Sequence, residues 1–260
     1  LPKVNRVVEF RVATIPTVDN QEDAVLRLLA SGKPMHLESL GLTAYNLKHI
    51  QHLVAQPYGM ILVVGPTGSG KTTTLHSAIS TINTPEKKIW AVEDPVEITQ
   101  EGLRQVQVNP KIGLSFASAL RSFLRADPDV IMIGEMRDKE TAHIGVESSL
   151  TGHLVFSTLH TNSAPETITR LLDMDLDSFN FADSLLCVLA QRLVKTLCPK
   201  CKEVYTPTPK QLEEIQAEFG PEWDKQVPPD VQDNPVLARA VGCRHCLGGY
   251  RGRIGIHELM

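Results

Sequence analysis

The chain has 260 residues, 42% of them hydrophobic, which suits one large domain or two smaller ones with a core of ordinary size. Its 26 Lys and Arg against 30 Asp and Glu leave a net charge of −4, so a general nucleic-acid-binding surface, which needs a basic excess, is not expected. No apolar run reaches the length of a membrane span, no signal-peptide pattern opens the chain, and five cysteines suit metal binding or free thiols in the cytoplasm better than a disulfide framework.

Leu1 rather than Met comes first, and residues 1–10 read as the inside of a domain, so the chain is expected to be part of a longer protein. Residues 4–15 are predicted to form a strand through Val7, Val8, Phe10, Val12 and Ile15. Glu22 to Ala30 reads as a short amphipathic helix and Ser31-Gly32-Lys33-Pro34 as a linker. Thr43 to Ala55 reads as a helix with Leu47, Ile50, Leu53 and Val54 on one face. A buried strand over Met60–Val64, a glycine-rich turn and a helix from Thr72 to Ile79 follow. Next come a strand over Lys88–Val92, a short strand at Val106–Val108 and a helix from Ser115, its cap, to Arg125. A buried strand at Val130–Ile133, a helix over Asp138–Leu150 and a strand over His153–Leu159 complete the alternation, with further helices over Pro165–Leu172 and Phe181–Leu193. Strand and helix alternating between residues 60 and 172 imply a parallel α/β sheet. Beyond Thr196, proline, polar residues and two cysteine pairs signal a small appended module.

The turn Gly65-Pro66-Thr67-Gly68-Ser69-Gly70-Lys71-Thr72 fits the Gly-x-x-x-x-Gly-Lys-Ser/Thr phosphate loop in its proper place between a strand and a helix. Glycines let backbone N–H groups close around phosphates, and the helix N-terminus adds positive potential. Lys71 can reach the β- and γ-phosphates and the Thr72 hydroxyl can hold Mg²⁺. With Thr73, the next residue of the helix, these eight residues are the candidate nucleotide-binding set for ATP or ADP.

Ligands of a parallel α/β sheet lie at the carboxyl ends of its strands, so the residues just after each strand matter most. After Val130–Ile133 stand Gly134, where a Mg²⁺-holding Asp is usual, and Glu135, which can polarise an attacking water or else pair with Arg137. After Lys88–Val92 stand Glu93, Asp94 and Glu97: three acids beside a phosphate site favour a water or Mg²⁺ role, the alternative being a solvated turn around Pro95. His160 falls at the carboxyl end of its strand, where a γ-phosphate sensor would sit, and His153 at the opposite end.

Together, Gly65–Thr72, Ala91–Glu97, Asp127–Asp138 and Thr151–Asn162 resemble the type II/type IV secretion ATPase family, in which these blocks are the Walker A, Asp box, atypical Walker B and His box. The resemblance implies a hexameric cytoplasmic motor, peripheral to the inner membrane, that acts on an inner-membrane platform protein and clamps nucleotide between two domains. It makes Glu93, Glu97 and Glu135 the functional carboxylates, Glu135 the catalytic one, and His160 the γ-phosphate sensor. Phe10–Pro16 and Val25–Leu29 resemble the family's two arginine segments, whose arginines, here Arg11 and Arg27, reach the nucleotide in the closed state. The family usually has a Gly-Glu pair between them, and this chain has Asp19–Asp23 instead. Arg121 and Arg125, four apart on one helical face, match positions used at subunit contacts, the alternative being ion pairs with Asp127 or Asp129.

Cys198-Pro199-Lys200-Cys201 and Cys243-Arg244-His245-Cys246 are two knuckles that can give four thiolates to one tetrahedral Zn²⁺. Residues 202–242 between them are longer than in an ordinary ribbon, and the resemblance strengthens the reading, because assembly and secretion ATPases often carry this element. Cys187 belongs to an apolar segment and reads as core. Gly248–Glu258 resembles the strand returning to the ATPase domain, which places Arg253 near the nucleotide. The expected fold is therefore α/β: the end of a second N-terminal domain (1–32), a RecA-like P-loop ATPase domain (33–195), an inserted tetracysteine zinc module (196–250) and a return strand (251–260). The expected function is ATP hydrolysis powering type II secretion or type IV pilus assembly. A nucleic-acid-translocating RecA-like motor and a non-hydrolysing scaffold are the alternatives, and no nucleic-acid partner is expected.

Overall fold

A computed structural model describes residues 10–28 and 34–260, so Val7, Val8 and the linker residues Ser31–Lys33 lie outside the described residues. Two compact units emerge: one of Leu1–Leu193 with Gly255–Met260, the other of Val194–Ile254.

The first described element is an antiparallel hairpin, β1 (Phe10–Pro16) with β2 (Glu22–Leu28), registered from Phe10↔Leu28 to Pro16↔Glu22. The segment from Glu22 is thus a strand and not the predicted helix. Asp19 and Asn20 take positive φ of 59° and 54°, which turns the chain back on itself, and pairing with β1 then overrides the weak helical spacing of Val25 and Leu28 in the sequence.

A seven-stranded sheet follows, built from β3 (Gly59–Val64), β4 (Ile89–Glu93), β5 (Leu103–Gln107), β6 (Val130–Ile133), β7 (Leu154–Leu159), β8 (Leu185–Leu197) and β11 (Tyr250–Leu259), in the order β11-β8-β3-β7-β6-β4-β5. The six strands β8 to β5 of that order run parallel. At its edge Val188 and Met260 exchange both backbone hydrogen bonds, as antiparallel partners do. The helices are α1 (Ala44–Val54), α2 (Lys71–Ser80), α3 (Phe116–Phe123), α4 (Lys139–Leu150), α5 (Ala164–Asp173) and α6 (Ser178–Ser184). Helices on both faces bury the central strands on both sides, which is why β3, β6 and β7 read as unbroken apolar runs. On one face Met60, Leu62 and Val64 meet Leu120 and Phe123 of α3 and Ala142 and Val146 of α4. On the other, Ile61 and Val63 meet Ile50 and Val54 of α1 and Leu75 and Ile79 of α2. Ser115 caps α3 through a reciprocal capping box, Thr43 caps α1, and Asp138 caps α4.

The predicted helix over Phe181–Leu193 is corrected: α6 ends at Ser184 and the chain continues as β8, parallel to β3 from Met60↔Leu185 to Val64↔Ala190. Within β8, Cys187 and Leu189 pack in one core cluster and Val188 and Ala190 in the other, a period of two. A short, wholly buried apolar run carries no periodicity that separates strand from helix; the partner edge of β3 decides it. Cys187 is core, and burial pushes its thiol up to about 12.

The second unit contains β9 (Glu203–Tyr205) paired antiparallel with β10 (Leu237–Arg239), and the short helices α7 (Pro209–Phe219), α8 (Trp223–Gln226) and α9 (Pro229–Asp233). Arg239 forks onto the Glu203 carboxylate at 3.0–3.1 Å, and Phe219 meets Trp223 edge to face at 5.5 Å. The Cys198 N–H donates to the Gly249 carbonyl at 2.8 Å, tying the first knuckle to the chain after the second.

Candidate nucleotide site

β3 ends at Val64, the loop Gly65–Gly70 leaves the sheet, and α2 begins at Lys71. Gly70 is the N-cap of α2 with φ 90°, so no side chain occupies the first orphan N–H groups of the helix. Gly65 has φ 147°, and a Cβ there would collide with the Gln191 carbonyl oxygen. Only glycine meets both demands. Lys71 is buried and curls over the loop, its Nζ donating to the carbonyls of Gly65 (2.8 Å) and Pro66 (3.0 Å). Burial holds its ammonium below the ordinary lysine range, and the carboxylate of Glu135 raises it in part. Thr72 and Thr73 follow, both half-buried, in the first turn of α2.

Glu135 stands just beyond β6, two strands from β3, with its side chain only 11% exposed. Thr158 of β7 pins the turn that carries it from both sides: its hydroxyl donates to the Gly134 carbonyl (2.7 Å), and its carbonyl accepts from the Met136 N–H (3.0 Å). A side chain at Gly134 would crowd the end of β4, because a Cβ would lie 3.2 Å from the Glu93 Cα and the Val92 oxygen, closer than an ordinary contact. One Glu135 oxygen is 2.6 Å from Arg137 Nη2 and the other 3.5 Å from His160 Nε2. Both sequence readings of Glu135 therefore meet here: it is paired with Arg137, yet it is buried at the carboxyl edge of the sheet and lies in the field of Lys71.

Glu93 ends β4 and turns inward. Its carboxylate accepts from Gln105 Nε2 at 2.8 Å and faces His76 Nε2 at 3.4 Å, while His76 Nδ1 is 3.0 Å from Gln100 Oε1. His76 is wholly buried on α2, so this network ties the helix of the phosphate loop to the carboxyl end of β4. Glu97 lies exposed on the turn after β4. Arg121 pairs with Glu140, and Asp129 accepts the Lys88 N–H at 2.6 Å, so the alternative of an ion pair between Arg121 and Asp127 or Asp129 gives way to a different carboxylate. Arg11 and Arg27 are backbone partners in the register of the hairpin, and Arg11 is exposed. Arg253 is exposed on β11, in the second unit. Sequence reading missed three residues of this site: Gln191, whose Nε2 donates to the Ser69 carbonyl at 2.7 Å, Thr158 and His76.

In the second unit the four sulfurs of Cys198, Cys201, Cys243 and Cys246 lie within 4.8 Å of one another. The pairs Cys201–Cys246 and Cys243–Cys246 stand 3.6 and 3.7 Å apart, far beyond a disulfide bond and close to the ~3.8 Å edge of a tetrahedron with Zn–S of about 2.3 Å. Burial pushes the Cys201 thiol up to about 12. At Cys246 burial acts in the same upward sense, but N–H groups of Cys243 and Gly249 and the neighbouring thiols bring it down to about 7. The donor set fits a closed, four-thiolate zinc site. No helix among the described residues is long and apolar enough to cross a membrane.

A parallel sheet with a glycine-rich loop between β3 and α2, and a buried glutamate at the same edge, defines a RecA-like P-loop nucleotide-binding domain. The chain belongs to the type II/IV secretion system protein family, whose model matches residues 2–260. It is 49% identical over 257 residues to the type II secretion system ATPase E of Vibrio cholerae, covering 98% of this chain and 48% of that protein. It is 50% identical over 255 residues to the type IV pilus assembly ATPase PilB of Myxococcus xanthus, covering 97% and 43%. The chain thus spans about half the length of the curated relatives it matches. Among solved structures, the pilus retraction motor PilT with bound ADP superposes with a TM-score of 0.65 at 36% identity, over 75% of this chain and 58% of PilT.

Proposed function

We propose that this chain is the catalytic part of an ATPase motor that powers type II secretion or type IV pilus assembly, splitting ATP to ADP and phosphate. The observation that carries the proposal is the common placement of Lys71, on the phosphate loop, and buried Glu135, at the carboxyl edge of one parallel sheet, in a chain half identical to ATPases of both machines. In this reading Gly65–Thr73 hold the phosphates, the Thr72 hydroxyl holds Mg²⁺, and the metal neutralises charge on the β- and γ-phosphates. Glu135 accepts a proton from the attacking water, Glu97 reaches metal-bound water from its exposed turn, and Glu93 braces the loop helix through His76. His160 monitors the γ-phosphate from the end of β7.

Arg11 and Arg27 complete the charge compensation, and the working form is a homo-hexamer on the cytoplasmic face of the inner membrane, docked on a platform protein. The four cysteines hold a structural Zn²⁺. Because Arg11 and Arg27 belong to a hairpin separate in sequence from the phosphate loop, they complete a site only when domains close, which couples hydrolysis to movement. Turnover per chain is therefore expected to rise with concentration as hexamers form, and Arg27→Ala is expected to slow turnover without loss of folding. Mg²⁺-dependent phosphate release across a dilution series, with mass measured in parallel, checks both. Constant turnover per chain from monomer to hexamer would remove the assembly requirement, and no hydrolysis by the assembled protein would overturn the function.

A further inference from the structure

We propose that Gln191 is a positioning residue for nucleotide: from β8, its carboxamide fixes the Ser69–Gly70 peptide so that the Gly70 N–H faces the phosphates. The proposal rests on the reading of Gly65–Thr72 as the nucleotide site.

β8 is registered on β3 up to Val64↔Ala190, so Gln191 comes level with Gly65, where the loop leaves the sheet. Its side chain is only 4% exposed, and its Nε2 donates to the Ser69 carbonyl at 2.7 Å. The opposite orientation of the amide would set two oxygens at that distance, so the donor must face the carbonyl. The same residue packs on both glycines of the loop: its backbone oxygen occupies the space of a Cβ at 65, and its Nε2 lies 3.2 Å from a Cβ at 70. In a planar trans peptide the C=O and N–H point in opposite directions. Holding the Ser69 carbonyl toward β8 therefore turns the Gly70 N–H to the other side of the loop, the side that the reading of Gly65–Thr72 as the nucleotide site gives to the phosphates.

A second observation separates this role from plain packing. Gln191 Oε1 is buried and has no hydrogen-bond partner among the described residues. A buried acceptor left unpaired is destabilising, so filling space alone would favour an apolar side chain of the same size. The unpaired oxygen accompanies the amide because the donor is needed at Ser69.

Two variants of nearly constant size test the proposal in the intact protein. Gln191→Met removes the donor, and Gln191→Glu places a carboxylate against the Ser69 carbonyl. Titration with MgADP by calorimetry is expected to show affinity about tenfold weaker for Gln191→Met and weaker still for Gln191→Glu, as for loss of one hydrogen bond to a charged ligand. KM for ATP is expected to rise in step, with kcat at saturating ATP within about threefold of wild type, since only uniform binding is lost. A merely structural role would lower stability and kcat without this split. Should Gln191→Glu fail to fold, Gln191→Met decides. Wild-type MgADP affinity in Gln191→Met, with binding lost in Lys71→Ala, would overturn the proposal and leave the nucleotide site standing. Wild-type affinity in Lys71→Ala as well would overturn the nucleotide site itself.

Discussion

Glu135→Gln is expected to cut the ATP turnover number by about 10²–10⁴, the usual contribution of a positioned general base, while ATP affinity stays within a few-fold of wild type. That loss corresponds to about 3–5 kcal/mol of barrier. Glutamine has the shape of glutamate, and the turn carrying residue 135 is held by Thr158 through backbone groups that the substitution does not touch. Its carboxamide oxygen can still accept from Arg137, which now meets Glu135 at 2.6 Å. What the amide cannot do is accept a proton from water. Lys71→Ala should behave in the opposite way, because its ammonium, now donating to the Gly65 and Pro66 carbonyls, is the charge that would move onto the phosphates. Nucleotide titration of both variants beside single-turnover rates separates the two roles. Equal loss of affinity in both would sink the assignment of Glu135 as the base.

The parts of the site legible in the sequence are those where backbone geometry leaves one residue type. Gly65 and Gly70, at positive φ and against Gln191, could be read directly, as could the unbroken apolar run of β3 that leads into them. One capped helix was legible for the same local reason: Ser115 announces α3. Residues whose meaning depends on a distant partner were not. Gln191 is an ordinary polar residue until β8 is placed against β3, and reading Phe181–Leu193 as a helix hid it. His76 sits on a face of α2 that sequence spacing assigns to core, and its partners Glu93 and Gln100 come from residues far along the chain. The hairpin strand β2 was misread because its five outermost residues, Glu22–Leu26, are exposed and carry no burial pattern, so the turn at Asp19 and Asn20 alone decides its pairing.

Chelation of the metal, or Cys198→Ser, is expected to unfold the unit Val194–Ile254 while the sheet of the first unit keeps its protection from hydrogen exchange. The unit has almost no core of its own: Cys198 is its one buried residue among the hydrophobic types, accompanied by buried Pro207 and Gly249. None of the residues of α7 is buried, and β9 with β10 is a two-stranded pairing, marginal in water without further support. A piece this small and this exposed needs a covalent or metal staple to stay folded. The four sulfurs lie within 4.8 Å of one another at the two points where the chain doubles back. A structural zinc can supply on the order of 10 kcal/mol to such a module, more than its surface ion pairs such as Arg239–Glu203 can replace. With three thiolates left, Cys198→Ser should lose most of that contribution. Because β8 and β11 both run into this unit, unfolding is expected to include their ends, residues 194–197 and 250–254, and to stop short of the parallel strands β3, β6 and β7, whose stability rests on their own buried faces. Elemental analysis is expected to give one zinc per chain, and peptide-resolved exchange after chelation should locate the unfolding to residues 194–254. Protein free of stoichiometric zinc, or exchange unchanged by chelation, would show that the four thiols are not held together by a metal.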